Sequence, residues 1–450
     1  MQVNENSLTF INHASVLIKG RYKSILTDPW FEGDAFHKGW RLLYENKKED
    51  IDNILDETSY IWLSHEHPDH FSILFFKKYG NKILERNISI LFQKSEDKRI
   101  VNYLRGAGFN VMELSDTDTF EIEQDFRIKI IRDEFYDSAL LVTINGKTLF
   151  NLNDCPIRSK ERIEDFKRKY GTCDILLTQF SYAAWKGGRE NKAWRTEAAM
   201  DKVTSLVDQG NILQAKVVVP FASFVWFSNE LNGYLNDAVN TPHRVLDFCA
   251  RNHSNFQCVI LKPFETIDIG MVPQQNASSI EFWEEKYKDL PNRPCDRYDQ
   301  SFSLEALRQP FEGYCRRLKS KNSWWLVRLL GKFGVLGAFS PVSIRLIDTN
   351  EVILVDLPNE VLRKTDSSPD IAMHSESLAF IFNNPFGFDT LTVNGNFEEM
   401  KHGGFSRCAK NFALENLNNL GYSLAPSLVF NFKLIRIFMS RLIKVAKKLG

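Results

Sequence analysis

The chain has 450 residues, and Lys+Arg and Asp+Glu are equal at 57 each, so its formal net charge is zero. That balance supplies no global field for nucleic acid, and the length allows two or three domains with sizeable cores. The seven cysteines (Cys155, Cys173, Cys249, Cys258, Cys295, Cys315 and Cys408) are scattered and include no Cys-x-x-Cys pair; this argues against a disulfide framework and for a reducing compartment. Residues 1–6 are polar, with no apolar core of a signal peptide, and no apolar run reaches the length of a membrane span. A cytoplasmic protein is expected.

In chain order, residues 7–30 read as two strands. Leu8, Phe10, Val16, Leu17 and Ile18 form one arm, Gly20 the turn and residues 24–27 the return. His13 is either a hydrogen-bonded structural residue or a site residue. Asp28 closes the return strand; it is either a turn cap before Pro29 or a support for a histidine ligand. Residues 30–45 hold Trp30, Phe31, Phe36, His37 and Trp40 along with Gly33 and Gly39, a loop that is either packing or one wall of a substrate pocket.

The apolar run 60–63 then delivers Ser64-His65-Glu66-His67-Pro68-Asp69-His70. The run reads as a buried strand, and Pro68 keeps the cluster out of a strand or helix interior. The spacing suits two cations, one held by His65 and His67, the other by Asp69 and His70. Imidazole with carboxylate favours zinc or iron over calcium or magnesium. Beyond it, a helix over 71–79, a strand over 89–92, a helix over 97–107 ending at Gly108, and strands over 111–114 and 126–131 make an α/β alternation. The loop 132–138 offers Asp133 and Glu134, and no histidine stands between His70 and His243. A carboxylate ligand here would harden the site toward iron or manganese; the plain alternative is a solvated acidic turn. A hairpin around Asn145-Gly146 ends at Asp154. Next come a charged helix over 158–170, a strand over 174–180, a loop carrying Trp185 at its end, a helix over 197–208 and a strand over 215–221.

These motifs resemble the metallo-β-lactamase superfamily, through His-x-His-x-Asp-His after an apolar strand. Residues 12–18, 26–30, 35–40, 149–155 and 219–222 narrow the likeness to the hydrolase-like part of CMP-N-acetylneuraminate hydroxylase and its bacterial relatives. The resemblance runs from the first strand to Ala250 and more faintly beyond. It implies the αββα sandwich of that superfamily, with Asp28 and His13 behind the metal-binding histidines, Asp154 bridging two metals, and Asp69 and Asp154 as catalytic carboxylates. Glu134 stands at the histidine-to-serine offset of the superfamily and becomes a sixth metal ligand beside His65, His67, Asp69, His70 and Asp154. Trp30, His37, Trp185 and Asn229 become pocket residues. The last ligand is open between Asn229, which stands where the hydroxylase pattern has histidine, Glu230 and His243. The Cys-x-His pairs of a Rieske cluster, which the full hydroxylase carries, are absent from the sequence.

From about residue 260 the character changes. Pro and Asn clusters at 270–310 suggest a linker with helices, 342–355 reads as strands, and 375–397 alternates apolar and polar around Phe386-Gly387-Phe388-Asp389, with a turn at Asn394-Gly395. The expected division is 1–265, the sandwich; 266–425, a smaller α+β domain; and 426–450, a basic amphipathic helix on a membrane surface or a partner subunit. Three functions compete: a diiron oxygenase acting on a sugar-like or polar metabolite with electrons from a separate protein, a zinc hydrolase of a lactone, phosphodiester or amide, and a binding protein with a degraded site.

Overall fold

The computed structural model describes residues 6–133, 137–252, 254–334 and 337–426. Glu134 and residues 427–450 of the expected terminal helix lie outside the described residues. The chain forms two compact units, Met1–Cys295 and Asp296–Gly450.

The first unit is built on two seven-stranded sheets. One orders its strands Thr266–Asp268, Ser7–Asn12, Ser15–Lys19, Ser24–Thr27, Tyr60–Leu63, Ser89–Gln93, Val111–Leu114; the other Gln257–Cys258, Val217–Phe221, Ile175–Gln179, Lys147–Asn153, Ser138–Ile144, Phe126–Arg132, Phe120–Glu123. The near-continuous apolar runs are the parallel members: Tyr60–Leu63 lies parallel to both its neighbours, as does Ile175–Gln179. Strands covered on both faces need side chains that tolerate burial in both directions.

Helices cover the outer faces. Ile73–Glu85 starts where the Ser72 hydroxyl accepts from the amide of Phe75, and it buries Phe75, Phe76, Tyr79 and Ile83. These meet Ile61, Leu63, Ile90 and Phe92 in one core cluster, each large side chain contributing about 1.5–3 kcal/mol by leaving water. The second sheet carries Lys192–Ile212, which buries Ala199, Val203, Leu206 and Val207. That helix begins before the expected residue 197 because Arg195 is fully buried. It is locked by two 2.8 Å bonds to Asp237 and by the carbonyls of Gly188 and Arg189.

Three expectations are corrected. The arm read as one strand over 8–18 is two, because the chain turns at His13, whose φ is 31°. The first unit runs to Cys295 rather than 265: strand Thr266–Asp268 pairs with Ser7–Asn12, and Trp283 of helix Ala277–Lys288 stacks on Phe224 with ring centroids 4.1 Å apart. In the second unit, 375–397 is mostly helical, Ser375–Asn383 and Gly387–Asn394. Asn394-Gly395 is a helix end, with Gly395 left-handed at φ 68°.

The second unit is a five-stranded sheet ordered Val361–Lys364, Val352–Asp356, Val342–Leu346, Ile371–Met373, Phe397–Glu399. Its helices include Leu304–Lys319, Trp324–Phe333 and Gly404–Asn419. Among the described residues no helix is long and apolar enough to cross a membrane.

Candidate metal centre

The site forms where strands of both sheets end. His13, Asp28, Asn153 and Ala222 each terminate or follow a strand with positive φ, at 31°, 35°, 49° and 47°. Such backbone is costly for residues other than glycine and persists where surroundings hold it. Here they do. The His13 carbonyl accepts from the Ala222 amide at 2.8 Å, and the Asn12 side chain accepts from the His13 amide at 2.9 Å. The Asp28 carboxylate accepts from the Ser64 amide at 2.7 Å and the Ser64 hydroxyl at 2.8 Å. Asn153, from the second sheet, donates its amide to Asp28 at 2.7 Å.

The loop after Tyr60–Leu63 is not extended: the amides of His70 and Phe71 both return to the His67 carbonyl, at 3.0 and 2.7 Å. The turn divides the motif into two donor groups. His65, His67 and Asp154 form one and His13, Asp69 and His70 the other, the ligand atoms of each lying within 4.8 Å of one another. In the first, His65 Nε2 is 2.9 Å from His67 Nδ1. In the second, Asp69 Oδ2 lies 3.3 Å from His13 Nε2 and 3.2 Å from His70 Nε2. The groups adjoin, since His70 Nε2 is 3.7 Å from Asp154 Oδ1.

The imidazoles are anchored from behind. His70 Nδ1 is 3.1 Å from Asp28 Oδ2, leaving Nε2 toward the carboxylates, and His65 Nδ1 is 2.9 Å from the Ser64 hydroxyl. Fixing one ring nitrogen and presenting the other is how a ligating histidine is oriented. Asp154 is held by the side-chain amide of Gln179, which accepts from the buried Lys202.

The donor set fits two cations. His65, Asp69 and His70 are almost wholly buried, and among the described residues His13 Nδ1, Asp69 Oδ1 and His70 Nε2 have no hydrogen-bond partner. Buried polar atoms are normally satisfied. Four imidazoles with two carboxylates match the ligand chemistry of iron or zinc. The electrostatics are strained. Burial and the neighbouring His70 and His67 hold His65 well below its usual value. For Asp69 burial opposes ionisation, but His70 and His13 outweigh it and hold the carboxyl well below the usual range. For His70 burial is outweighed by Asp69, Asp154 and Asp28, which raise it.

Asp137 is a site residue that sequence reasoning passed over. Its Oδ1 is 3.5 Å from His65 Nε2, and burial followed by the Asp154 charge pushes its carboxyl up to about 6. It immediately precedes strand Ser138–Ile144, and that strand-end position is the signal that could have found it. Asp133, weighed from the sequence, instead binds Arg162 at 2.6 Å.

The candidates for a last ligand do not join either group. Asn229 donates to the Lys38 carbonyl and accepts from the Leu231 amide, so both ends of its amide are committed to backbone. Glu230 and His243 are exposed. His13 stands with Asp69 and His70 instead. Among the expected pocket residues, Trp30 meets the His13 ring edge-on at 5.6 Å. His37 lies half-buried in a left-handed run, Phe36-His37-Lys38, whose Phe36 ring is 5.6 Å from that of His67. Trp185 packs edge-on against Trp194.

Comparison with known proteins agrees with this fold. Residues 7–150 match the family model described as the beta-lactamase superfamily domain, and the two layered sheets with helices outside them are the expected αββα sandwich fold. More particularly, the chain is 24% identical over 289 residues to cytidine monophosphate-N-acetylneuraminic acid hydroxylase of Danio rerio, covering 60% of this chain and 47% of that one. It is 22% identical over 295 residues to the Homo sapiens protein described as inactive, covering 61% of this chain and 56% of that one. The chain thus spans about half the length of the curated relatives it matches. A solved structure, CmlA, a diiron beta-hydroxylase from Streptomyces venezuelae, aligns with TM-score 0.39 and 16% identity over 59% of this chain and 54% of that one.

Proposed function

We propose that the first unit is a dinuclear-metal oxygenase that hydroxylates a polar, sugar-like small molecule, with iron the metal and electrons drawn from a separate protein. Hydroxylation by dioxygen places one oxygen atom in the product and reduces the other to water, which takes two electrons from outside. The sequence holds no Cys-x-His pair for a Rieske cluster, so a donor protein is part of the proposal.

The observation that carries it is the third carboxylate. Asp137 stands 3.5 Å from His65 Nε2, so each histidine group faces carboxylate oxygen, and oxygen-rich ligation favours iron over zinc. The relatives described as hydroxylases support the same class. His65, His67 and Asp137 would hold one ion, His13, Asp69 and His70 the other, with Asp154 beside both. Two iron ions, when bound, supply the electron-transfer chemistry that dioxygen needs. The chain's residues do the rest. Asp28 and Ser64 orient the imidazoles, and Gln179 holds Asp154 in place. Trp30 and Phe36 form apolar walls that limit water. Glu134, three positions before Asp137 in sequence, is a further candidate ligand.

Metal analysis of aerobically purified protein, with Mössbauer spectroscopy, tests this. Two iron per chain with a diiron signal is expected, and His67→Ala and Asp137→Asn should each lose at least one equivalent. Two zinc, which the four imidazoles would equally accept, would replace the oxygenase by a hydrolase. No stoichiometric metal would leave a binding protein with a degraded site.

A further inference from the structure

The second unit exposes an apolar helix face that the metal chemistry does not use. Helix Trp324–Phe333 has the sequence Trp-Trp-Leu-Val-Arg-Leu-Leu-Gly-Lys-Phe, and of its side chains only Val327 is fully buried. Trp325 is 59% exposed, Leu329 42% and Phe333 69%. These residues are four apart, so they stack on one side of the helix. Exposed Arg328 and Lys332 lie between them on the same side. A folded protein gains nothing from wetting such a stripe, and large contiguous apolar patches mark interaction surfaces.

Charge says which kind of surface. The whole chain is neutral, yet residues 316–334 carry six Lys or Arg and no Asp or Glu. Some of these cations are answered locally: Arg317 by Glu415, Lys319 by Glu360, with Arg328 3.6 Å from the same Glu360. Lys321 and Lys332 form no ion pair among the described residues. The Leu424 carbonyl accepts from the Ser323 amide and the Leu424 amide donates to Asn322, both at 2.8 Å. In sequence, residues 427–450 hold six more Lys or Arg and no acid.

We infer that helix Trp324–Phe333 docks on an anionic lipid surface, seating Trp325, Leu329 and Phe333 at the headgroup level while Arg328 and Lys332 meet lipid phosphates. A tryptophan and a phenylalanine flanked by cations are the residues that favour the membrane interface. A protein partner would have to be acidic and apolar at once, which an anionic bilayer is over any area.

Sedimentation of the full chain with phosphatidylglycerol–phosphatidylcholine vesicles tests it, against phosphatidylcholine alone. Binding to the anionic vesicles at low salt, and release by high salt, is expected. Trp325→Glu with Phe333→Glu should cut the bound fraction at least tenfold. Both positions are exposed, so an unchanged thermal melt confirms that the fold is kept. A full chain that stays in the supernatant overturns the inference, as does a double variant that binds like the parent. Truncation after Pro426 should weaken binding; if it strengthens it, residues 427–450 cover the helix and the lipid assignment falls. A dimer abolished by Trp325→Glu, without vesicle binding, makes the face a contact with a second copy and overturns it too.

Discussion

Asp28 gathers contacts from both halves of the sandwich: the Ser64 amide and hydroxyl, His70 Nδ1 and the Asn153 amide all reach its carboxylate. Asp28→Ala would bury those groups without an acceptor. We expect a loss of about 3 kcal/mol in denaturant unfolding, since stranding buried donors costs far more than an average hydrogen bond. Metal affinity should fall about 10–100-fold because His70 loses the group that aims it. A metal titration showing parental affinity would remove Asp28 from its positioning role. At this scale the sequence was informative where ligands are neighbours. His65, His67, Asp69 and His70 lie within six positions, so their chemistry shows without a fold. Asp154 was reached through resemblance and its strand end. His13 and Asp137 are different. Their meaning arises from the turn at φ 31° at His13 and from the strand end that sets Asp137 against His65, and ligand spacing alone encodes neither. Asn229 was misjudged because an asparagine that closes a backbone turn looks the same in sequence as one that faces a ligand.

Among elements, helix Ser375–Asn383 depends on a residue outside it. Asp348 accepts from the Ser375 amide and from the hydroxyls of Ser375 and Ser301. Burial opposes its ionisation, but these bonds outweigh it and hold the carboxyl below its usual value. The sign follows: a carboxylate depressed in the folded state adds stability above its unfolded value near 3.8, and loses it as pH falls through the lower folded value. Asp348→Ala should therefore cost about 1 kcal/mol at neutral pH, as helix caps do, and nothing once Asp348 is protonated in the parent. Urea midpoints at pH 7 and in strong acid check this, and an equal cost at both would assign the effect to packing instead. Strands such as Tyr60–Leu63 and Ile175–Gln179 were legible because burial on both faces demands unbroken apolar runs. The helices at 375–394 were hidden: buried on several sides, they lose the one-faced periodicity that identifies a surface helix.

For the whole molecule, the division at Cys295 was missed because residues 266–295 carry the Pro and Asn composition of a linker while contributing a strand and Trp283 to the first unit. Composition reports local solvent preference, and an edge strand or capping helix has little of its own core to advertise. The two sheets of that unit also meet through direct bonds at the metal centre: Ser138 to the Ser64 carbonyl, Asn153 to Asp28 and Ala222 to the His13 carbonyl. Metal ions would thus sit across a joint between layers, and anything that binds only the closed joint stabilises it by mass action. Hydrogen–deuterium exchange should expose that coupling. Stripping the metal with a chelator should speed exchange at the amides of Ser64 and Ala222, on opposite sheets, by a similar factor. Amides deep in Ile73–Glu85 should keep their rates. Equal acceleration everywhere would mean that the metal holds the unit together as a whole. Acceleration at one sheet alone would mean that the layers part independently. The expected pattern makes the loaded centre a latch, so that the parting of the sheets is set by how tightly the ions are bound.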